Sequence, residues 1–353
     1  MDIKNFLEEA VNEGASDVFI VAGAQLAYKL NGQIRKCNDG ILKPNDTKEL
    51  ISEIYAMADL DREMIRFGED DFSFSIPNLA RFRVNVFVQR GSLAAVLRII
   101  RYNLPSYKDL LIPDKIIDLA NLNSGLVLVT GAAGSGKSTT LACIIDEINK
   151  NYSKHIITIE DPIEYLHKHQ KSIVSQREVT YDTKNYANAL VASLREAPDV
   201  ILVGEMRDLE TIQTALSAAE TGHLVFSTLH TMGVSETINR IIDAFPTSGQ
   251  HQIRVQLSST LRAIASQKLV AGTDDKLIPV FEMLTINNAI KTQIREGKIH
   301  QIDNYIGGIG DNSGSTSIVM DDEILKFYKD GKISKETAIM NAKNREIMRK
   351  KIG

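Results

Sequence analysis

The first hundred residues carry two hydrophobic periods, one helical and one typical of half-buried strands. Apolar side chains recur at helical spacing in Ile3–Ala10, and a second helical stretch runs from about Asn45 to Ala58. Short β-rich or alternating runs predict strands over Asp17–Val21, Ala27–Leu30, Gln33–Cys37, Phe72–Ile76 and Phe82–Val88. Together these elements predict a mixed α/β domain that ends near Arg101.

The rest of the chain alternates short β-rich runs with helical stretches. The β-rich runs are Leu126–Thr130, His155–Glu160, Val200–Gly204 and Leu224–Thr228. Strands that alternate with helices pair in parallel and carry helices on both faces of their sheet. We therefore predict an α/β protein with domains over residues 1–101 and 114–353, joined by a proline-containing linker over residues 102–113.

The C-terminal part of the second domain has its own pattern. Gly307–Ser317 is rich in glycine and serine, a composition typical of a flexible loop. Two helical patterns follow it, at about Asp321–Lys329 and Ser334–Arg349. We expect a loop and then two terminal helices.

Composition and charge restrict the class of protein. The 353 residues include 41 basic and 45 acidic side chains, and the net charge of −4 provides no general attraction for nucleic acid or anionic lipid. Cys37 and Cys143 are too few for a disulfide scaffold or a four-cysteine zinc site. No apolar run reaches the ~20 residues that cross a bilayer, and the acidic start Met1–Ala10 lacks the regions of a signal peptide. We expect a reduced, soluble, cytoplasmic protein.

The strongest chemical signal is the sequence GAAGSGKS at Gly131–Ser138, which matches the phosphate-binding pattern G-x-x-x-x-G-K-[ST] at every required position. Its glycines allow backbone N–H groups to converge on phosphate oxygens at the start of the following helix. Lys137 supplies a cation to the β- and γ-phosphates, and Ser138 supplies a hydroxyl ligand to Mg²⁺. We therefore expect ATP and Mg²⁺ to bind here. The candidate nucleotide-binding residues are Gly131, Gly134, Ser135, Gly136, Lys137, Ser138 and Thr139.

Carboxylates follow two of the predicted parallel strands. Glu205 ends the buried run VILVGE, and ligands of open α/β sheets bind beyond the carboxyl ends of the strands. We expect Glu205 to polarise the water that attacks the nucleotide; the alternative is a carboxylate that caps the next helix. Glu160, Asp161 and Glu164 place three carboxylates within five residues. A magnesium nucleotide would offset their repulsion, and the alternative is a solvated acidic turn.

Two histidines flank the strand Leu224–Thr228. Their offset of seven residues, His223 to His230, puts them on opposite faces of a regular strand, so a local zinc pair is not expected. His230 follows the strand on the catalytic side and is a candidate sensor of the γ-phosphate. His223 precedes the strand and is expected to lie away from that chemistry. For both, a purely structural role is the alternative.

Arginines occupy the polar face of a strand in the first domain. Arg83 lies opposite the apolar face of Arg81–Val88, and Arg98 follows on the next strand. An arginine can neutralise the charge that develops during phosphoryl transfer. The alternative is a solvated basic face.

The phosphate loop is followed in chain order by ITIEDPIEY (Ile157–Tyr165), ILVGEMRD (Ile201–Asp208) and TGHLVFSTLHT (Thr221–Thr231). Together these motifs resemble the type IV pilus retraction ATPases, the PilT family of the secretion traffic ATPases. The resemblance extends over nearly the whole chain, from ASDVFIVAG (Ala15–Gly23) to AIKTQIREGKIHQI (Ala289–Ile302).

The resemblance implies a PAS-like N-terminal domain and a RecA-like C-terminal ATPase domain. It implies a homohexameric ring that hydrolyses ATP with Mg²⁺ and powers pilus retraction and twitching motility. It also implies an inner-membrane platform protein as partner, at the cytoplasmic face of that membrane. Family motifs place Glu160 and Glu164 in an acidic box, Glu205 as the Walker B glutamate, and His223 and His230 in a histidine box.

The resemblance further implies that Arg83 and Arg98 approach the nucleotide from the N-terminal domain. The chain departs from the family pattern at three places. Ala197 replaces a frequent aspartate before Pro198–Asp199, outside the catalytic positions. Ala132–Ala133 replace Pro-Thr in the phosphate loop, where side chains are not required for phosphate contact. Lys291–Gln293 alter the middle of the C-terminal motif AIRNLIRE, which is associated with retraction.

Three other functions fit part of the same pattern. A pilus-assembly or type II secretion ATPase would share all of the nucleotide chemistry. A nucleic-acid translocase is opposed by the charge balance, because such proteins need a cationic surface. A regulatory nucleotide-binding module with little turnover is opposed by Glu205 and the acidic box.

Overall fold

The computed structural model describes residues 2–30, 32–60, 68–100, 102, 104–274, 276–303 and 317–353. Two compact units divide the chain. The N-terminal unit consists of Met1–Leu104 with Ile163–His167, and the C-terminal unit of Pro105–Pro162 with Lys168–Gly353. Arg101 and, apart from Ser317, the predicted loop Gly307–Ser317 lie outside the described residues.

The N-terminal unit contains a six-stranded antiparallel sheet in the order β3-β2-β1-β6-β5-β4. Its strands are β1 (Asp17–Ile20), β2 (Gln25–Leu30), β3 (Gln33–Ile41), β4 (Glu69–Ile76), β5 (Ala80–Gln89) and β6 (Ser92–Ile100). Its helices are α1 (Ile3–Glu13) and α2 (Pro44–Met57). Every predicted element of this unit is present, and β5 alternates buried and partly exposed residues along Ala80–Val86, as its sequence pattern predicts.

Local sequence explains the first helix. The Asp2 side chain accepts a hydrogen bond from the Lys4 N–H at 2.9 Å and caps the start of α1. Gly14 ends the helix in the left-handed conformation, with φ of 94°. Between these ends, Ile3–Ala10 bury one apolar face, as their helical spacing predicts.

The C-terminal unit contains a seven-stranded sheet in the order β13-β12-β7-β11-β10-β8-β9. Its strands are β7 (Gly125–Thr130), β8 (His155–Glu160), β9 (Ile173–Glu178), β10 (Val200–Val203), β11 (Leu224–Leu229), β12 (Leu261–Ala271) and β13 (Leu277–Thr285). All neighbours pair in parallel except β12 and β13, which are antiparallel. The predicted α/β class is confirmed, and the four predicted strands, β7, β8, β10 and β11, pair in parallel as expected. The antiparallel pair at one side of the sheet is formed by β12 and β13, two strands that the sequence analysis does not predict.

The helices of this unit with both ends among the described residues are α3 (Asp114–Ile117), α4 (Lys137–Asn151), α5 (Tyr186–Ser193), α6 (Leu209–Glu220), α7 (Val234–Asp243), α8 (Gln250–Thr260), α9 (Asn288–Glu296), α10 (Met320–Lys329), α11 (Lys335–Asn341) and α12 (Arg345–Ile352). The single helix predicted over Ser334–Arg349 is wrong. Ala342 is extended, and the Asn344 side chain accepts a hydrogen bond from the Ile347 N–H at 3.0 Å, which starts a new helix.

Parallel pairing determines where chemistry can occur. The carboxyl ends of β7, β8, β10 and β11 lie at one edge of the sheet, so the residues after these strands come together. Within the described ranges, no helix has both the length and the apolar character needed to span a membrane.

Candidate active site

The loop between β7 and α4 depends on its glycines. Gly131, Gly134 and Gly136 have φ values of 144°, 75° and 86°. A Cβ atom on Gly131 would lie 2.1 Å from the backbone oxygen of Gln267. Only glycine permits both this backbone conformation and this close approach. The loop therefore has the fixed shape that a phosphate-binding backbone requires.

Lys137 is the first residue of α4 and is buried. Its Nζ donates hydrogen bonds to the carbonyl oxygens of Gly131 at 3.0 Å and Ala132 at 2.9 Å, so the ammonium lies within the loop. The Ser135 Oγ atom is buried there without a hydrogen-bond partner among the described residues. Ser138 is exposed in the first turn of α4. A cation, a helix N-terminus and an unpartnered hydroxyl thus converge at a site suited to phosphate.

Gln267 on β12 supports the loop from behind, a role that the sequence reasoning missed. Its Oε1 atom accepts a hydrogen bond from Thr140 Oγ1 at 2.8 Å. A Cβ atom on Gly136 would lie 2.9 Å from its Nε2 atom. Gln267 is buried, and a buried amide needs hydrogen-bond partners, but its strand also contains Arg262 and Lys268, so the sequence carries no clear signal of this contact.

Gly131→Ala is expected to prevent nucleotide binding and to destabilise the protein. Steric overlap with Gln267 adds about 1–3 kcal/mol to the backbone strain. Gly222→Ala is the matched control, because Gly222 also has a positive φ, 106°, but has open space around it. The control is expected to lose only about 1–3 kcal/mol of unfolding free energy and to keep its affinity for ADP. Calorimetric ADP titration and denaturant unfolding of both variants measure the difference; equal effects would contradict this account of the loop.

Glu205 follows β10 and points to the carboxyl ends of its neighbours. Its Oε1 atom lies 3.3 Å from His230 Nε2, and its Oε2 atom accepts a hydrogen bond from Arg207 Nε at 2.7 Å. The side chain is 15% exposed, against 68% for Arg207. Helix α6 is capped by Asp208, which accepts a hydrogen bond from the Thr211 N–H. Asp208, and not Glu205, therefore caps the next helix, so the alternative role for Glu205 is wrong.

Glu160 lies at the end of β8, beside the end of β10. The two strands pair in parallel, and the Gly204 N–H donates to the Ile159 oxygen at 2.8 Å. The Glu160 Oε1 atom accepts hydrogen bonds from Thr158 Oγ1 at 2.7 Å and Gln176 Nε2 at 3.2 Å. These two donors fix the position of the Glu160 carboxylate at the carboxyl ends of the strands, where Glu205 also lies.

The acidic segment after β8 divides between the two units. Glu160 and Asp161 belong to the C-terminal unit, whereas Glu164 belongs to Ile163–His167 of the N-terminal unit. There Glu164 and Tyr165 line a small cavity together with Gly14–Ser16. The role of Glu164 toward nucleotide stays a prediction.

Arg83 and Arg98 also belong to the N-terminal unit. They are paired directly across β5 and β6, where like charges repel. Arg98 Nε donates to Asp17 Oδ1 at 3.2 Å, in an ion pair whose arginine is 71% exposed. An anion near both arginines would relieve their repulsion. Their approach to nucleotide stays a prediction.

The two histidines lie at opposite ends of β11. His230 follows β11 and contacts Glu205. His223 precedes β11, and its Nδ1 atom lies 3.0 Å from the Ala218 oxygen and 3.2 Å from Thr221 Oγ1. The structure does not bring His223 to Glu205, and a catalytic role for His223 stays a prediction.

A cavity of about 610 Å³ borders the phosphate loop within the C-terminal unit. Gly136 and Thr139 contribute to its wall, and Leu111, Leu269 and Pro279 give it apolar character. The sequence reasoning missed this cavity because its lining comes from distant parts of the chain. Its position and polarity suit a flat aromatic base that continues from bound phosphates.

Comparison with known proteins gives a consistent result. Residues 1–305 match the family described as "Type II/IV secretion system protein". The chain is 42% identical over 346 residues to the "Type IV pilus retractation ATPase PilT" of Pseudomonas aeruginosa, covering 97% of this chain and 98% of that protein. It is 43% identical to the "Twitching motility protein" of Neisseria gonorrhoeae, covering 98% of this chain and 92% of that protein.

A solved structure adds a likeness of fold. The "Pilus Retraction Motor PilT and Bound ADP" is 46% identical and superposes with a TM-score of 0.85, over 99% of both chains. The predicted fold class, a PAS-like domain followed by a RecA-like ATPase domain, and the predicted resemblance are confirmed. The chain belongs to the type II/IV secretion system protein family and, within it, to the type IV pilus retraction ATPases.

Proposed function

We propose that this chain is an ATPase whose hydrolysis of ATP powers the retraction of type IV pili. The observation that carries the proposal is the phosphate loop, with Lys137 inside it, at the same sheet edge as Glu205 and His230. Full-length similarity to proteins named for pilus retraction and twitching motility supports the biological role.

Each residue of the site has a separate role in ATP hydrolysis. Backbone N–H groups of Gly131–Thr139 and the Lys137 ammonium bind the β- and γ-phosphates. Glu205 orients a water, whose oxygen bonds to the γ-phosphorus as the bond to ADP breaks, and accepts its proton. His230, beside Glu205 at 3.3 Å, detects whether the γ-phosphate is present. The nucleoside occupies the apolar cavity beside Gly136.

The donors at this edge fit Mg²⁺. The Ser138 hydroxyl and the Glu160 carboxylate are hard oxygen donors. Among the described residues, no group of three or more acidic, histidine or cysteine side chains could hold a metal ion alone. Together with nucleotide phosphates, Ser138 and Glu160 would hold Mg²⁺, which would neutralise charge on the transferred group.

Membership of the family supports a proposal for the assembly. We propose a homohexamer that works at the cytoplasmic face of the inner membrane and transmits domain motion to a platform protein there. The net charge of −4 agrees with a protein partner rather than nucleic acid.

Arg83→Ala is expected to reduce ATP hydrolysis at least about tenfold, because an arginine that approaches the phosphates stabilises the transition state. Unfolding free energy should change by less than about 1 kcal/mol, since Arg83 lies opposite the apolar face of β5. Arg35→Ala, which removes an exposed ion pair with Glu13 in the same unit, is the control. Phosphate release measures the effect. A folded variant with full activity would show that Arg83 belongs to a solvated basic face and does not act on the nucleotide.

Deletion of the gene tests the biological role. Cells are expected to keep surface pili and to lose retraction-dependent movement, and the wild-type gene should restore it. Loss of pili from the surface would instead assign the chain to pilus assembly, and loss of protein export with normal pili would assign it to secretion.

A further inference from the structure

Tyr186 lies beside the proposed catalytic carboxylates, although no motif points to it. It is the first residue of α5, whose start is fixed by Asn185; the Asn185 side chain accepts a hydrogen bond from the Asn188 N–H at 2.8 Å. The Tyr186 ring packs against the hydrophobic core of the C-terminal unit. Both contacts hold the ring so that its hydroxyl reaches the catalytic edge of the sheet.

The hydroxyl position is defined by Gly204, the residue before Glu205. A Cβ atom on Gly204 would lie 3.0 Å from Tyr186 Oη and 3.2 Å from the Ile159 oxygen. The same Cβ would lie 3.4 Å from the Cα atom of Glu160. The phenol oxygen therefore occupies the space above the carboxyl ends of β8 and β10. Glu160 ends β8, and Glu205 directly follows Gly204.

The surroundings keep this phenol protonated. Burial and the nearby carboxylates of Asp161 and Glu205 raise the pKa of Tyr186 above its ordinary value, against a smaller opposing effect of Arg207. The hydroxyl has no hydrogen-bond acceptor among the described residues. A partly buried hydroxyl without an acceptor is unfavourable, so water is its natural partner here.

We propose that the Tyr186 hydroxyl donates a hydrogen bond to the water that Glu205 activates, and so fixes that water near the carboxyl ends of β8 and β10. This inference rests on the proposed function. The water then accepts from Tyr186 and donates to Glu205, which leaves a lone pair of its oxygen free to attack the γ-phosphorus. Tyr186 is in this sense a catalytic residue, because it contacts a reacting atom.

Tyr186→Phe is the direct test, since it removes one oxygen and keeps the packed ring. We expect kcat for ATP to fall about 5–30-fold, in line with one lost orienting hydrogen bond. KM and ADP affinity should remain within about twofold of wild type. The melting temperature should change by no more than a few degrees, because no hydrogen bond within the protein is lost. Tyr152→Phe is the matched control; its hydroxyl donates to Asn121 Oδ1 at 2.6 Å, and kcat should not change.

A double variant separates a catalytic from a structural role. If Tyr186 acts on the water that Glu205 activates, Tyr186→Phe should have less than a twofold effect on the residual single-turnover rate of Glu205→Gln. A full additional loss in the double variant, or an unchanged kcat in the single variant, would overturn the assignment of Tyr186. Absence of turnover in the wild-type protein would instead refute the proposed function, so the two failures are distinguishable.

Discussion

Lys137→Ala is expected to reduce ATP hydrolysis by about 10³-fold or more and to weaken nucleotide binding strongly. The ammonium lies within the phosphate loop, where its Nζ bonds to the carbonyls of Gly131 and Ala132. Bound phosphates would meet this charge in a confined, partly dehydrated space, in which one positioned donor contributes about 10²–10³-fold to the rate. Loss of ground-state affinity adds to that effect. Phosphate release and fluorescent ADP titration measure the two parts.

The control for this prediction lies on the same helix. Lys150 is in the last turn of α4 and forms an ion pair with Asp146 at the surface. Lys150→Ala removes the same kind of charge far from the loop and should leave activity within about twofold, because exposed ion pairs contribute little. Equal activity of Lys137→Ala and Lys150→Ala would rule out the proposed phosphate site.

Glu205→Gln is expected to retain ATP and to lose about 10²–10⁴-fold in turnover. The substitution preserves volume and the possibility of hydrogen bonds to His230 and Arg207, but removes the charge that accepts a proton from water. Binding depends on the loop at Gly131–Ser138 and should therefore remain within a few fold of wild type. Equilibrium binding of ATP and single-turnover hydrolysis separate these quantities.

Glu210→Gln provides a comparison at a nearby exposed carboxylate, in the first turn of α6. This change should reduce stability by no more than about 1 kcal/mol through the helix dipole and leave turnover unchanged. If Glu205→Gln hydrolyses ATP as fast as Glu210→Gln does, activation of the water belongs to another residue.

The features of the site that could be predicted are local in sequence. The phosphate loop requires glycines, a lysine and a serine at fixed spacing, and the strand and helix on either side are visible from apolar patterning. Strand β8 has the bounds that its apolar run predicts, His155–Glu160. Glu205 and His230 could be placed beside each other because both follow parallel strands of one sheet, and they are 3.3 Å apart.

The missed features depend on long-range packing. β12 and β13 carry Gln267 and Glu282 within buried positions, so their sequences do not read as uninterrupted apolar strands. The sequence predicts one acidic group at Glu160–Glu164, whereas the chain passes from one unit to the other after Pro162. Tyr186 belongs to no recognised motif, so the sequence does not predict its place in the site. Only the folded sheet shows that its hydroxyl lies beside Gly204.

The central claim is that ATP is cleaved where the glycine loop meets the carboxylates at the strand ends. Release of inorganic phosphate by the purified wild-type chain, measured with ATP across a range of Mg²⁺ and salt concentrations, tests it most directly. The account predicts steady turnover that requires Mg²⁺ and is lost in Lys137→Ala. Wild-type protein that binds ATP but releases no phosphate under any of these conditions would contradict it.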